Sequence, residues 1–234
     1  VSGALVRALA EPAAGNGRWR DLGVRSASAA VLLPVALGCL WAGGWAWSLL
    51  LGAAFVLMAN EWRTMAQAWP AGRRGLVGAV WLIPGVAAML WLRFTPPESF
   101  GNVLFVLCVV WASDIGAYMV GRIVGGPKLA PAISPGKTRS GAVGGVLAVI
   151  VVGLLAAWIG GGRYGASAAS AVLLGIVAQA GDLFESGMKR HFGVKDSGNT
   201  IPGHGGLLDR LDAVLFAAPV AAIVAIWRGV ELWR

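Results

Sequence analysis

Asp182, Glu185, Ser186 and Lys189 fall at i, i+3, i+4 and i+7, a spacing that places two carboxylates, a hydroxyl and an amine on one face of a helix. Asp182 follows the mostly apolar stretch LGIVAQAG, and a carboxylate so deep in an apolar segment is costly unless it faces a polar cavity. Beyond that helix, KRHFGVKDSGNTIPGHGGLLDRLD (Lys189 to Asp212) concentrates charge in an otherwise apolar chain. Asp209 and Asp212 stand at i and i+3 in the first turns of the last helix, with Arg210 between them. Dipole compensation at a helix N-terminus is one reading of Asp209, and a salt bridge to a nearby Lys or Arg is one reading of Asp182. The sharper reading is that Asp182 and Asp209 converge on Mg²⁺, which takes one or two carboxylates and fills its other positions with water and substrate phosphate oxygens. Lys189, Arg190, Lys195 and Arg210 would then hold phosphates, and glycines at 203, 205 and 206 would let backbone approach an anion at the helix N-terminus. Glycine-flanked His204 is a candidate phosphate donor or acid, the alternative being a hydrogen-bonded loop histidine.

A second polar segment, GRIVGGPKLAPAISPGKTRSG (Gly121 to Gly141), contains Ser134, Lys137 and Thr138. Its GKT is not a P-loop: the required Gly five residues before Gly136 is Pro131, and no strand is expected before it. What remains is a Gly/Pro-shaped basic loop able to bind phosphate, or an ordinary basic loop. Asp114 and Tyr118, at i and i+4, are expected to line the same cavity as Asp182.

These residues need elements to hold them. The chain is 57% hydrophobic and 13% charged, with mean hydropathy +0.72, against about 25% charged residues in a soluble domain. Residues 26–60, 75–92, 140–162 and 164–181 carry no charge. The expectation is an all-α, polytopic integral membrane protein of about seven transmembrane helices, at 27–43, 45–60, 76–93, 101–120, 141–161, 167–189 and 207–228. AGG at 42–44 serves as the turn that splits the longest run. Residues 1–234 read as a single membrane domain, with N-terminal helices in 1–100 and catalytic helices and cytoplasmic loops in 101–234. In this arrangement fifteen of the 19 basic residues fall on one side, which marks that side as cytoplasmic. The net charge of +8 is then topological and calls for no nucleic acid. The 12 tryptophans suit interface anchoring and lipid-facing packing. Cys39 and Cys108 read as free buried thiols. Residues 1–25 lack the apolar core of a signal peptide, and the first residue is Val, which leaves room for residues upstream.

The stretch SGMKRHFGVKDSGNTIPGHGGLLDRLD, Ser186 to Asp212, resembles the motif of bacterial phosphatidate cytidylyltransferases (CDP-diacylglycerol synthases). The resemblance extends through GDLFES (181–186), KLAPAISPGKT (128–138) and SDIGAY (113–118), while residues 1–100 match only in general layout. Family members often read KTWEG where this chain has KTRSG, so position 140 receives no role. The resemblance implies transfer of a cytidylyl group from CTP to phosphatidate, giving CDP-diacylglycerol and pyrophosphate. It makes Asp182 and Asp209 the metal carboxylates, with Mg²⁺ alone or beside a second cation. It puts Ser186, Lys189, Arg190, Lys195 and Arg210 around phosphate, with Asp196, His204 and Asp212 completing the catalytic set. It assigns Asp114, Tyr118, Ser134, Lys137 and Thr138 to substrate binding. A multi-pass protein of the bacterial inner membrane follows, its site facing the cytoplasm, with a homodimer allowed.

Three other classes fit less well. A transporter with Asp114 and Asp182 at the midplane would show inverted repeats, and none is evident. A related CTP-dependent lipid enzyme shares the head-group chemistry and is separated only by the resemblance. A CDP-alcohol phosphotransferase needs a DGxxAR cluster, which the sequence lacks.

Overall fold

The computed structural model describes residues 14–95, 99–203, 205–229 and 232–233, with residues 14–26 and 99 described as backbone only. Among the described residues, seven helices run in chain order: α1 Ala14–Ala42, α2 Gly44–Met65, α3 Ala71–Phe94, α4 Ser99–Val124, α5 Arg139–Gly160, α6 Tyr164–His191 and α7 Leu208–Arg228. A short antiparallel hairpin, β1 Lys128–Ala130 and β2 Ser134–Thr138, interrupts them between α4 and α5. The all-α expectation holds for the helical bundle. The hairpin is an addition to it, formed where 128–138 was expected to be an irregular loop. Lys128 pairs with Thr138 and Ala130 with Ser134.

α3 to α7 are each long and apolar enough to cross a membrane. The apolar part of α1, Ala27–Ala42, is shorter, about 24 Å at 1.5 Å per residue. Pro34, Pro84 and Pro219 lie inside α1, α3 and α7, a frequency that membrane helices tolerate because neighbouring groups re-satisfy the freed carbonyls.

The expected turn at 42–44 is present. Gly43 has φ +63, and a Cβ there would meet Arg93 Cζ at 2.5 Å. Arg93 needs that space, because its Nε donates to Leu40 O (2.8 Å) and its Nη2 to Trp41 O (3.3 Å), satisfying the end of α1. α4 and α5 approach through small residues. A Cβ on Gly144 would stand 2.9 Å from Gly116 O, and one on Gly116 would stand 2.8 Å from Gly144 O, the close backbone approach that small residues permit in membranes.

α7 is the axis of the bundle. It packs on α3, α4 and α6, burying an alanine face that includes Ala213, Ala217, Ala218 and Ala221 against Val106 and Val109 of α4 and Leu174 and Ala178 of α6. A second cluster lies at the end bearing the basic loops, where Met58, Trp62, Trp81, Leu208 and Leu215 pack together. Trp62 meets Trp69, Trp81 and Phe192 edge to face. The tryptophans therefore divide. Trp41, Trp45, Trp158 and Trp227 are exposed at helix ends on the opposite side, as interface anchors are, while Trp62 and Trp81 are buried. Cys39 and Cys108 are free and only half-buried.

Candidate active site

The C-terminal half of α6 presents the expected face. Asp182 Oδ1 accepts from Ser186 Oγ at 3.4 Å, and Lys189 Nζ stands 2.6 Å from Glu185 Oε2 one turn earlier. α6 is long enough to carry this face to the end of the bundle where α7 begins. There Lys189 Nζ also donates to Asp209 Oδ1 at 2.7 Å. The Asp209 carboxylate further accepts from Ser197 N (2.9 Å to Oδ2) and Gly206 N (2.9 Å). One aspartate thus joins α7, α6 and both ends of the 194–206 loop. Asp212, one turn on, is buried, accepts from Ala213 N at 2.7 Å, and lies within electrostatic reach of Asp182, Lys189 and Asp114.

Asp182 makes a different ion pair, with Lys137 of β2. Lys137 and Asp182 lie in the wall of a cavity of about 480 Å³ that also includes Asp114, Tyr118, Arg122 and Gln179. Gln179 Nε2 donates to Ser113 Oγ and Ala142 O, both at 3.2 Å, fixing that wall across α4, α5 and α6. Arg122 Nη1 donates to Tyr118 Oη at 3.5 Å. On the same stretch of α4, Ile115, Met119 and Ile123 are exposed and apolar, so the cavity with its charged pair borders the surface that faces lipid.

The hairpin places Lys137. Thr138 is the N-cap of α5, its Oγ1 accepting from Gly141 N at 3.0 Å, which starts the helix directly after the lysine. Thr138 Oγ1 and Ser140 Oγ share a hydrogen bond at 3.0 Å, and Ser140 Oγ donates to Gly125 O. Ser140, left without a role on sequence grounds, thus closes the hairpin base. Ser134 sits at the other end of the strand pair. Arg190 Nε donates to Ile133 O at 3.3 Å, tying α6 to the hairpin turn.

The expected residues therefore form two adjoining sets. Asp114, Tyr118, Lys137, Thr138 and Asp182 share the cavity, while Lys189, Asp209 and Glu185 form a charge-sharing knot. Asp182 and Asp209 each hold a different lysine. Arg190, Lys195, Asp196 and Arg210 are exposed. Asp196 lines a second cavity, of about 430 Å³, with Trp69 and His191. His204 lies outside the described residues.

Among the described residues no group of three or more His, Cys, Asp or Glu side chains is arranged as a metal cage. Mg²⁺ needs none, since one or two carboxylates and substrate oxygens suffice. The donor set fits such an ion. Asp114 and Asp182 share the cavity, and Glu185 Oε1 is buried without a hydrogen-bond partner.

Sequence reasoning passed over Arg122 and Gln179 of the cavity wall, and one further residue that reaches the start of α7. Glu61, at the end of α2, is 5% exposed. It accepts from Leu207 N (2.9 Å), Leu208 N (2.8 Å), Ser197 Oγ (3.3 Å) and Thr200 Oγ1. The N-terminus of α7, which the glycines at 203–206 were expected to open to a substrate anion, is thus occupied by an internal carboxylate. The available signal was that Glu61 ends the charge-free run 26–60 and is the only acid among basic residues in 61–75.

The model of the family described as "Cytidylyltransferase family" matches residues 75–227. The phosphatidate cytidylyltransferase of Brucella suis biovar 1 (strain 1330) is 41% identical over 195 residues, covering 75% of this chain and 70% of that protein. The phosphatidate cytidylyltransferase of Staphylococcus saprophyticus is 42% identical over 146 residues, covering 58% of this chain and 54% of that protein. The match spans α3 to α7, the helices that carry the cavity and the Lys189 knot, and on that extent the chain belongs to the cytidylyltransferase family.

Proposed function

We propose that this protein is a membrane-embedded phosphatidate cytidylyltransferase, acting on CTP and phosphatidate to give CDP-diacylglycerol and pyrophosphate. The observation that carries the reading is the Lys137–Asp182 pair in a cavity that borders the lipid-facing flank of α4. A phosphomonoester lipid can place its charged head there while its chains remain among Ile115, Met119 and Ile123. The relatives named above are phosphatidate cytidylyltransferases.

In the proposed reaction a phosphate oxygen of the lipid attacks the α-phosphorus of CTP. The bond from that phosphorus to the oxygen bridging to the β-phosphate breaks, and pyrophosphate leaves with the electron pair. The nucleophile is already anionic, so no strong base is needed, and the main barrier is bringing two anions together. Lys137 and Lys189 are the cations placed to neutralise them, each now held by carboxylates it can exchange for phosphate oxygens. Asp182 and Asp209 are the carboxylates that would hold Mg²⁺, with Lys137 and Lys189 beside them for the phosphates. The ion would supply charge neutralisation at the transferring phosphate. The charge asymmetry of the loops supports a site facing the cytoplasm of a bacterial inner membrane, where CTP is available.

The test is purified protein in detergent with phosphatidate and labelled CTP, with and without Mg²⁺. Labelled nucleotide-lipid and pyrophosphate should appear together only with the divalent ion. Robust turnover in EDTA would remove the metal from the proposal, and absence of nucleotide-lipid under any divalent ion would remove the reaction.

A further inference from the structure

Glu61 lies outside the stretch that the family model matches, on a helix without a cavity-lining residue at the Lys137–Asp182 site. Yet its carboxylate receives four donors from the loop and helix that carry Asp209. Two are the backbone N–H groups of Leu207 and Leu208. The N-cap position of α7 is Leu207, whose side chain offers no cap. Glu61 therefore does from α2 what a capping side chain usually does from within the helix, and its charge suits the positive end of the helix dipole. The other two donors are the hydroxyls of Ser197 and Thr200 in the loop.

The same loop holds Asp209. Ser197 offers its hydroxyl to Glu61 and its backbone N–H to Asp209. Gly206 N donates to Asp209 immediately before the two amides that donate to Glu61. Asp209 in turn holds Lys189. The glycines are spaced for this carboxylate: a Cβ on Gly206 would stand 2.8 Å from Glu61 Oε2, and one on Gly198 would stand 3.0 Å from Glu61 Cγ.

We infer that Glu61 is a positioning residue: it clamps the 197–208 loop to the start of α7 so that Asp209 holds Lys189 in place for the substrate phosphates. This rests on the reading that Lys189 and Asp209 belong to the phosphate site. A buried carboxylate that receives charge-assisted hydrogen bonds is costly to replace, because its donors are left unpaired. Removing it should loosen the loop before it loosens the bundle, since α2 packs mainly on α1 and α3.

The experiment compares wild type, Glu61→Gln, Glu61→Asp, Thr200→Val and the Glu61→Gln/Thr200→Val double variant in detergent. Amide hydrogen exchange, kcat and the KM values for CTP and phosphatidate are measured well below each melting temperature. In Glu61→Gln, exchange at Ser197, Leu207 and Leu208 should rise about tenfold or more while α4 and α5 amides stay unchanged. Its kcat should fall about 10- to 100-fold with KM changed less than about threefold, as expected when positioning and not ground-state binding is lost. Glu61→Asp should recover part of kcat. The double variant should be little worse than Glu61→Gln, because Thr200 acts through Glu61. Wild-type kcat in folded Glu61→Gln, exchange raised evenly across all helices, or additive losses would each overturn the inference. If Glu61→Gln does not fold, Thr200→Val decides: faster exchange confined to 197–208 with reduced kcat supports the clamp, and neither change overturns it. The exchange arm needs no turnover. A wild type without transferase activity would sink the reaction assignment, while the clamp would still stand or fall by the exchange pattern.

Discussion

Lys189 Nζ stands 2.6 Å from Glu185 Oε2 and 2.7 Å from Asp209 Oδ1, so one lysine is shared by carboxylates from two helices. The Glu185 and Asp209 side chains are 1% and 7% exposed. Removing the shared cation leaves two buried carboxyl groups without their common partner, and breaking a buried pair in this way costs about 3–5 kcal/mol. Lys189→Met should therefore lower the melting temperature markedly and abolish turnover. Thermal unfolding with an activity assay on the same preparation checks it. A stable, active Lys189→Met protein would show that the knot is dispensable.

Asp182 and Asp209 should separate on stability. The Asp182–Lys137 pair is about one-third exposed on both sides, and exposed ion pairs contribute about 0–1 kcal/mol. Asp182→Asn should keep its melting temperature within a few degrees and lose activity by about 10²–10³. Asp209→Asn removes the acceptor of Lys189, Ser197 N and Gly206 N, so it should lose both activity and melting temperature. Equal, large destabilisation in both variants would point to a structural role for Asp182.

Gly206→Ala places a methyl group in clash with Ser197 Oγ, one of the donors to Glu61, and 2.8 Å from Glu61 Oε2. The loop must shift or the carboxylate must leave its donors. The expected result is activity loss comparable to Glu61→Gln, without the wider unfolding that Gly144→Val should produce. At position 144 the added side chain meets Gly116 O at 2.9 Å in the tight α4–α5 contact, and overpacking there costs about 1–3 kcal/mol or more. Melting curves of the two variants should therefore differ while both lose turnover.

Orientation is open to direct labelling. Gln67 and Arg163 are both exposed and lie at opposite ends of the bundle, one in the α2–α3 connection and one before α6. Ser197 is unsuitable as a reporter because it is buried. With both native cysteines replaced, a membrane-impermeant thiol reagent should label Arg163→Cys in intact cells. It should reach Gln67→Cys only after permeabilisation. The reverse pattern would place the Lys189 knot outside and remove the route for CTP.

The sequence by itself determined the helices. Uncharged runs of about 20 residues have few other stable forms in lipid, so expected spans at 141–161 and 167–189 became Arg139–Gly160 and Tyr164–His191. It also determined the charged face of α6, because i, i+3, i+4 and i+7 must lie together on any helix. The motif from Ser186 to Asp212 named the family for the same local reason: its residues are contiguous.

Only the tertiary structure decided the partners. Lys137 and Asp182 are 45 positions apart, and nothing local says that β2 returns to α6 instead of leaving Lys137 in water. The hairpin itself was hidden, because Pro131 and Pro135 read as breakers and its strands are too short to show an alternation. Glu61 was the least legible of all. A carboxylate at the end of an apolar helix looks like the return of the chain to water, and its burial follows only from packing α2 against the start of α7. Periodicity reports which residues share an element, whereas the choice of partner for a charge depends on how separate elements are brought together in space.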